Sequence, residues 1–124
     1  MKFTQARNSL KCSLAAAAAT LALFSGVAIA QQPIKIGSFL GITGPAASLG
    51  DPEAKTMELY VEKINAAGGV LGRKLQLITY DTGSDSEKAR TFAKRLVEQD
   101  KVDVLLGGST TGETMAVIAL VEAA

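Results

Sequence analysis

Apolar residues recur along the chain with two alternating periods. In "IKIGSFL" (34–40), Ile34 and Ile36 alternate with polar positions, Phe39-Leu40 follow, and Pro33 and Gly41 bound the run as they bound a strand. The next ten residues, "GITGPAASLG" (41–50), are rich in Gly, Pro and Ser and read as a loop. Asp51 then fits an N-cap, with Pro52 in the first helical position, where its missing N–H costs nothing. Beyond it Ala54, Met57, Val61 and Ile64 recur at three- and four-residue steps among Glu53, Glu58, Glu62 and Lys63. That spacing predicts a helix to about Ala67, closed by the left-handed conformation that Gly68-Gly69 supplies.

"KLQLITYD" (74–81) returns to strand-like alternation. Ser84-Asp85-Ser86-Glu87 fits a capping box, S-x-x-E, and behind it Ala89, Phe92, Ala93, Leu96 and Val97 make one apolar helix face. "VDVLLG" (102–107) is a short third strand after the acidic stop at Asp100. Thr110-Thr111-Gly112-Glu113 is a second capping box, leading into "TMAVIALVEAA", a third helix apolar on most sides. The order β-α-β-α-β-α predicts an α/β fold, an open parallel sheet with helices on both faces. Three strands leave sheet edges and apolar surface uncovered, so the expectation is a fragment, with dimerisation through that sheet as the alternative.

Residues 1–30 follow neither period. Lys2, Arg7 and Lys11 make a basic start, "LAAAAATLALFSGVAIA" (14–30) is apolar and Ala-rich, and Ala28-Ile29-Ala30 is a small-x-small ending. This reads as a signal peptide cleaved after Ala30, and hence as export to the periplasm, rather than as a membrane anchor. Cys12, the one cysteine, precedes the apolar core, unlike the cysteine of a lipoprotein signal.

Residues 31–124 then contain neither Cys nor His, which removes disulfides, thiolates, the commonest general base and the commonest metal ligand. Three of the 13 basic residues and none of the 12 acidic ones lie before residue 31, so the remainder is close to neutral. No basic block appears, and a nucleic-acid partner is not expected. Asp100 and Asp103 are two carboxylates without a third ligand, so no metal and no cofactor is expected.

One tetrapeptide, Asp81-Thr82-Gly83-Ser84, has the pattern that carries the catalytic carboxylate of aspartic proteases. That chemistry needs two carboxylates sharing a proton, and residues 31–124 hold a single copy that ends a strand and opens a helix. A small exported hydrolase using Asp81 is therefore the weaker alternative, and the chain is not expected to be an enzyme. Gly37, Gly41 and Gly44 lack the dinucleotide spacing, and "GGSTTGE" (107–113) lacks the lysine of a P-loop.

Position along the fold is more informative. Ligands of open α/β sheets sit at the carboxyl ends of strands, near the point where strand order reverses. With the order 2-1-3, the loops 41–51 and 107–112 face each other there. Ser109, Thr110 and Thr111 offer three hydroxyls and backbone N–H groups at a helix start, a receptor for a small anion such as a carboxylate.

The stretch "TGPAASLGDPEAKTMELYVEKINAAGGVLGRKLQLITYDTGSDSEKARTFAKRLVEQDKVDVLLGGSTTGETMAV" closely resembles the start of the periplasmic solute-binding proteins of branched-chain amino-acid ABC transporters. Ile64-Asn65-Ala66-Ala67-Gly68-Gly69-Val70-Leu71-Gly72-Arg73-Lys74 is the most specific part of that likeness, which covers residues 33–124. The resemblance implies a type I, two-lobed binding protein closing around its ligand, with residues 31–124 an incomplete N-terminal lobe. It implies that Ser109, Thr110 and Thr111 grip a ligand carboxylate, Thr111 foremost, and that the Ala47–Gly50 segment touches the ligand side chain. Leu49 stands where some relatives carry an aromatic residue. The implied partners are a small amino-acid-like ligand, a branched-chain or related amino acid or small carboxylate or amide, and a membrane permease. The group meeting the ligand ammonium is expected outside this chain. A truncated piece without function of its own is the other alternative.

Overall fold

The computed structural model describes residues 31–124, so the signal-peptide reading of residues 1–30 lies outside the described residues. Three strands, β1 (Ile34–Leu40), β2 (Leu75–Asp81) and β3 (Val104–Gly107), form a parallel sheet in the order β2-β1-β3. The connections are helices α1 (Ala47–Ala66) and α2 (Ser86–Arg95), and α3 (Thr111–Glu122) follows β3. The alternation along β1 sorts its side chains to the two faces. Phe39 packs with Ala89, Ala93, Leu96 and Val117 from α2, its continuation and α3. On the other face Ile36 and, from the neighbouring strands, Leu75, Leu77 and Leu106 line a small apolar cavity together with Met57, Val61 and Ile64 of α1. Helices thus cover both faces, as the alternation predicts. As an edge strand β3 leaves Val104 and Leu106 exposed, and α3 does the same with Met115, Ile118 and Val121.

The stretch Ile64–Lys74 is a compact joint between α1 and β2. Gly69 N–H donates to Ile64 O (2.8 Å) and Gly68 N–H to Asn65 O (3.1 Å), the paired bonds of a Schellman ending, with both glycines at positive φ (84° and 108°). Leu71 and Gly72, at φ 51° and 78°, then turn the chain between Val70 and Arg73, whose backbones exchange bonds of 2.8 and 2.9 Å. The Asn65 amide accepts from Leu75 N–H (2.7 Å) and donates to Leu75 O (2.8 Å), pinning the first residue of β2 to the end of the helix.

Two helix starts differ from the sequence expectation. Helix α1 begins at Ala47, four residues before Asp51, and its N-cap, Ala46, has no side-chain cap. A tertiary contact holds this end instead: Ser84 Oγ accepts from Ala46 N–H (2.9 Å) and donates to Thr43 O (2.9 Å). Gly50 passes so close to the Gly41 carbonyl that a Cβ would not fit. Pro52 therefore lies inside the helix, where it has no N–H for the carbonyl one turn back. Asp51, rather than capping, pairs with Lys55 (2.7 Å) on the surface.

The second start is α2. Its N-cap is Asp85, whose carboxylate accepts from Lys88 N–H (2.8 Å), and not Ser84. Gly83 and Ser84 both adopt left-handed conformations (φ 62° and 64°), which places the serine hydroxyl toward the loop after β1 rather than over α2. Helix α2 runs on into a π-helical turn, Leu96–Asp100, ended by Lys101 at φ 54°. Strand β3 starts at Val104 because Asp103 closes the sheet's lower end: its N–H donates to Lys35 O (2.9 Å) and its carboxylate accepts from Lys35 N–H (2.8 Å). The other acid of the pair, Asp100, accepts from the Tyr80 hydroxyl (3.0 Å).

Candidate functional site

Because β1 is central, the turns leaving β1 and β3 lie side by side at the carboxyl end of the sheet, as the 2-1-3 order requires. They are tied together directly. Gly41 N–H donates to Ser109 Oγ (3.1 Å), and Gly108 N–H donates to Phe39 O (3.0 Å). Gly107 makes this approach possible: its φ of 151° and its contact with the Phe39 carbonyl leave no space for a Cβ. Next to the junction opens a cleft of about 540 Å³, lined by Leu40, Glu53, Met57, Leu106, Gly107 and Gly108 among others.

The three adjacent hydroxyls have separate surroundings. Ser109 Oγ donates to Glu53 Oε2 at 2.6 Å while accepting from Gly41, joining the β3 turn to α1 across 56 residues of chain. Thr110 is the N-cap of α3 in a complete capping box. Its Oγ1 accepts from Glu113 N–H (3.3 Å) and donates to Glu113 Oε2 (3.0 Å), which also accepts from Thr110 N–H (2.9 Å). Thr111 begins the helix proper and is exposed. Thr111 and Gly112 contribute first-turn N–H groups that lack carbonyl partners within the helix, at the positive end of its dipole. Leu49 lies in the first turn of α1, not in a loop, is 52% exposed, and does not line the cleft.

Under this surface lies Glu113, fully buried. Its Oε1 accepts from the Thr82 hydroxyl and its Oε2 from Thr110. A buried carboxylate is tolerated where hydrogen bonds replace its water. Here they also lock the β3 turn to the end of β2. Asp81 performs the corresponding task one strand away. Oδ1 accepts from Thr43 N–H (3.0 Å) and Gly83 N–H (2.9 Å), and Oδ2 accepts from the Thr43 hydroxyl (2.7 Å). Burial opposes its charge, but the bonds from Thr43, Gly83 and Ile42 outweigh that effect and hold the carboxyl below its ordinary value of 3.8. Both oxygens thus serve the turn.

Sequence reasoning missed Glu53, grouping it with the polar positions between the apolar ones of α1. No local signal distinguishes it from Glu58 or Glu62; its partner is supplied by a different strand turn. The buried role of Glu113 was half visible, as a capping-box acid, while its bond to Thr82 was not.

Residues 33–124 match the family described as periplasmic binding protein. Among individual proteins, the chain is similar to the Leu/Ile/Val-binding protein homolog 7 of Brucella melitensis, 40% identical over 95 residues, which are 77% of this chain and 24% of that protein. It is similar in structure to the branched-chain amino acid transporter substrate binding protein LivJ of Streptococcus pneumoniae, solved in complex with isoleucine, with a TM-score of 0.71 and 35% identity over 73% of this chain and 26% of that one. A solute binding protein of an ABC transporter from Rhodopseudomonas palustris, solved with 3,4-dihydroxy benzoic acid, gives a TM-score of 0.64 and 28% identity, covering 72% of this chain and 24% of that one. The chain thus spans about a quarter of the length of these relatives.

Proposed function

The chain belongs to the periplasmic binding protein family, and we propose that it supplies the first-lobe half of a ligand site for a branched-chain or related amino acid, in the substrate-binding component of an ABC transporter. The observation that carries this reading is the junction of the β1 and β3 turns beside the cleft at the carboxyl end of the sheet. The reading includes delivery of the ligand to a membrane permease, and the periplasm as the compartment, which the signal-like sequence of residues 1–30 suits. The ligand carboxylate sits at the start of α3, where the Thr111 hydroxyl and the N–H groups of Thr111 and Gly112 combine with the helix dipole. Thr110 shapes that turn through its cap, Ser109 borders it, and exposed Leu49 meets the ligand side chain from outside the cleft lining. The protein binds and releases its ligand without chemistry, and the carboxylate of Asp81 serves the β2 turn.

Calorimetric titration of the full-length protein with leucine, isoleucine, valine, small amides and aromatic acids tests the reading. The expected result is saturable one-site binding of at least one aliphatic amino acid. Binding of none of these compounds overturns it. Thr111→Ala is expected to weaken the bound ligand about tenfold, the size of one lost hydrogen bond to a charged group.

A further inference from the structure

The first turn of α1, Ala47–Gly50, depends on bonds from outside its own helix. Its N-cap, Ala46, has no side-chain cap, and Pro52 has no N–H for the Ser48 carbonyl one turn back. The β2 turn holds this end instead. Ser84 Oγ accepts from Ala46 N–H and donates to Thr43 O, both at 2.9 Å, across 38 and 41 residues of chain. Asp81 holds Thr43 alongside, through its N–H (3.0 Å) and its hydroxyl (2.7 Å). A Cβ on Gly41 would lie 2.9 Å from the Ser84 hydroxyl, so glycine there lets the serine enter the loop. Ser84 reaches this place at φ 64°, a left-handed conformation that a residue with a Cβ adopts at a cost. Its own helix does not need it, because Asp85 caps α2. Glycine would take the same φ without strain. What serine adds is the hydroxyl, and that hydroxyl serves α1.

We infer that Ser84 is a positioning residue for the ligand site. It does not line the cleft; it fixes the turn that carries Leu49, and through Leu49 it sets the discrimination between ligand side chains of different size. The inference rests on the function proposed above, in which Leu49 meets the ligand side chain. It gives the left-handed serine of the D-T-G-S turn a task in binding, performed at one remove from the ligand.

The test is a double-mutant cycle read by calorimetry on the full-length protein, as the ratio of leucine to alanine affinity. Ser84→Gly removes the hydroxyl and keeps the left-handed turn free of strain. It is expected to lower the ratio about fivefold, the factor of one neutral hydrogen bond. In a Leu49→Ala background the same substitution is expected to leave the ratio unchanged, since the side chain it positions is gone. Ser84→Ala, which keeps the Cβ, is expected to act in the same direction as Ser84→Gly. The inference fails if Ser84→Gly leaves the ratio unchanged, or lowers it equally with and without Leu49; Ser84 then serves stability alone, and the proposed site stands. It fails likewise if Leu49→Ala by itself does not move the ratio, because Leu49 then does not meet the ligand. Wild-type protein that binds neither leucine nor alanine overturns the inference, and binding of no compound in the panel removes the site with it. Thermal melting of each variant near the wild-type temperature shows that a changed ratio is not lost folding.

Discussion

The turns that end β2 and β3 are made of similar materials. Each leaves a parallel strand through glycine in a positive-φ conformation, carries hydroxyl residues and opens a helix with a side-chain cap. Their polar groups are used differently. At the β2 turn, Asp81, Thr82, Ser84 and Asp85 all bond to backbone or side chains of the protein. At the β3 turn, Thr110 and Glu113 do the same, while Gly107 and Gly108 line a cleft, Thr111 and the first N–H groups of α3 stay at the surface, and Ser109 shares an exposed carboxylate. A saturated turn fixes the scaffold; an unsaturated one at a sheet's carboxyl end is able to bind. The D-T-G-S tetrapeptide is of the first kind: both oxygens of its carboxylate are bonded to the Thr43 and Gly83 groups of the adjoining turns.

Substitutions can break each side of this contrast. The largest stability loss is expected from Glu113→Ala, which leaves the buried Thr82 hydroxyl and the Thr110 N–H without acceptors; a cost of about 2–4 kcal/mol follows for such groups. Urea melts measure it, and a loss below 1 kcal/mol, roughly a surface effect, contradicts the assignment. Asp81→Asn comes next, at about 1–2 kcal/mol, because it weakens the bonds tying the 43–46 loop to β2.

Its pH dependence has a definite sign. The folded carboxyl lies below the ordinary 3.8, so the stabilisation it provides is present above that value and is lost as pH falls through the lower folded value. The difference in melting temperature between wild type and Asp81→Asn is therefore constant near neutrality and closes only below 3.8. A gap that already narrows near neutral pH points to another group. At the β3 turn the prediction reverses in kind. Thr111→Ala should change stability by less than about 0.5 kcal/mol, as an exposed first-turn residue does, while reducing ligand affinity. Smallest of all is Leu49→Ala, at half-exposed Leu49: little change in melting, and a shift confined to the relative affinities of ligands differing in side-chain size.

Much of the scaffold was legible along the chain. The three strands, the glycine-ended first helix and the Thr110–Glu113 box follow from hydrophobic period and cap chemistry, which are local. The helix starts at Ala47 and Ser86 were not, for one shared reason. Ser84 looks like a cap beside its own helix, yet its hydroxyl is drawn to Thr43 and Ala46 across 41 and 38 residues. A long-range partner there replaced the local one at both helices. The candidate site divides the same way. Its place at the β1 and β3 turns and its threonines followed from strand order and composition, whereas Glu53 was invisible among the acids of α1.

The sequence by itself determined the alternating elements, the strand-end position of the polar turn and the family likeness, because periodicity and turn chemistry act within a few residues. Only the tertiary structure decided which hydroxyls remain available there. Hydrogen-bond capacity is finite, and Glu53, Gly41 and Glu113 reach Ser109 and Thr110 only after the sheet has brought the turns and α1 together.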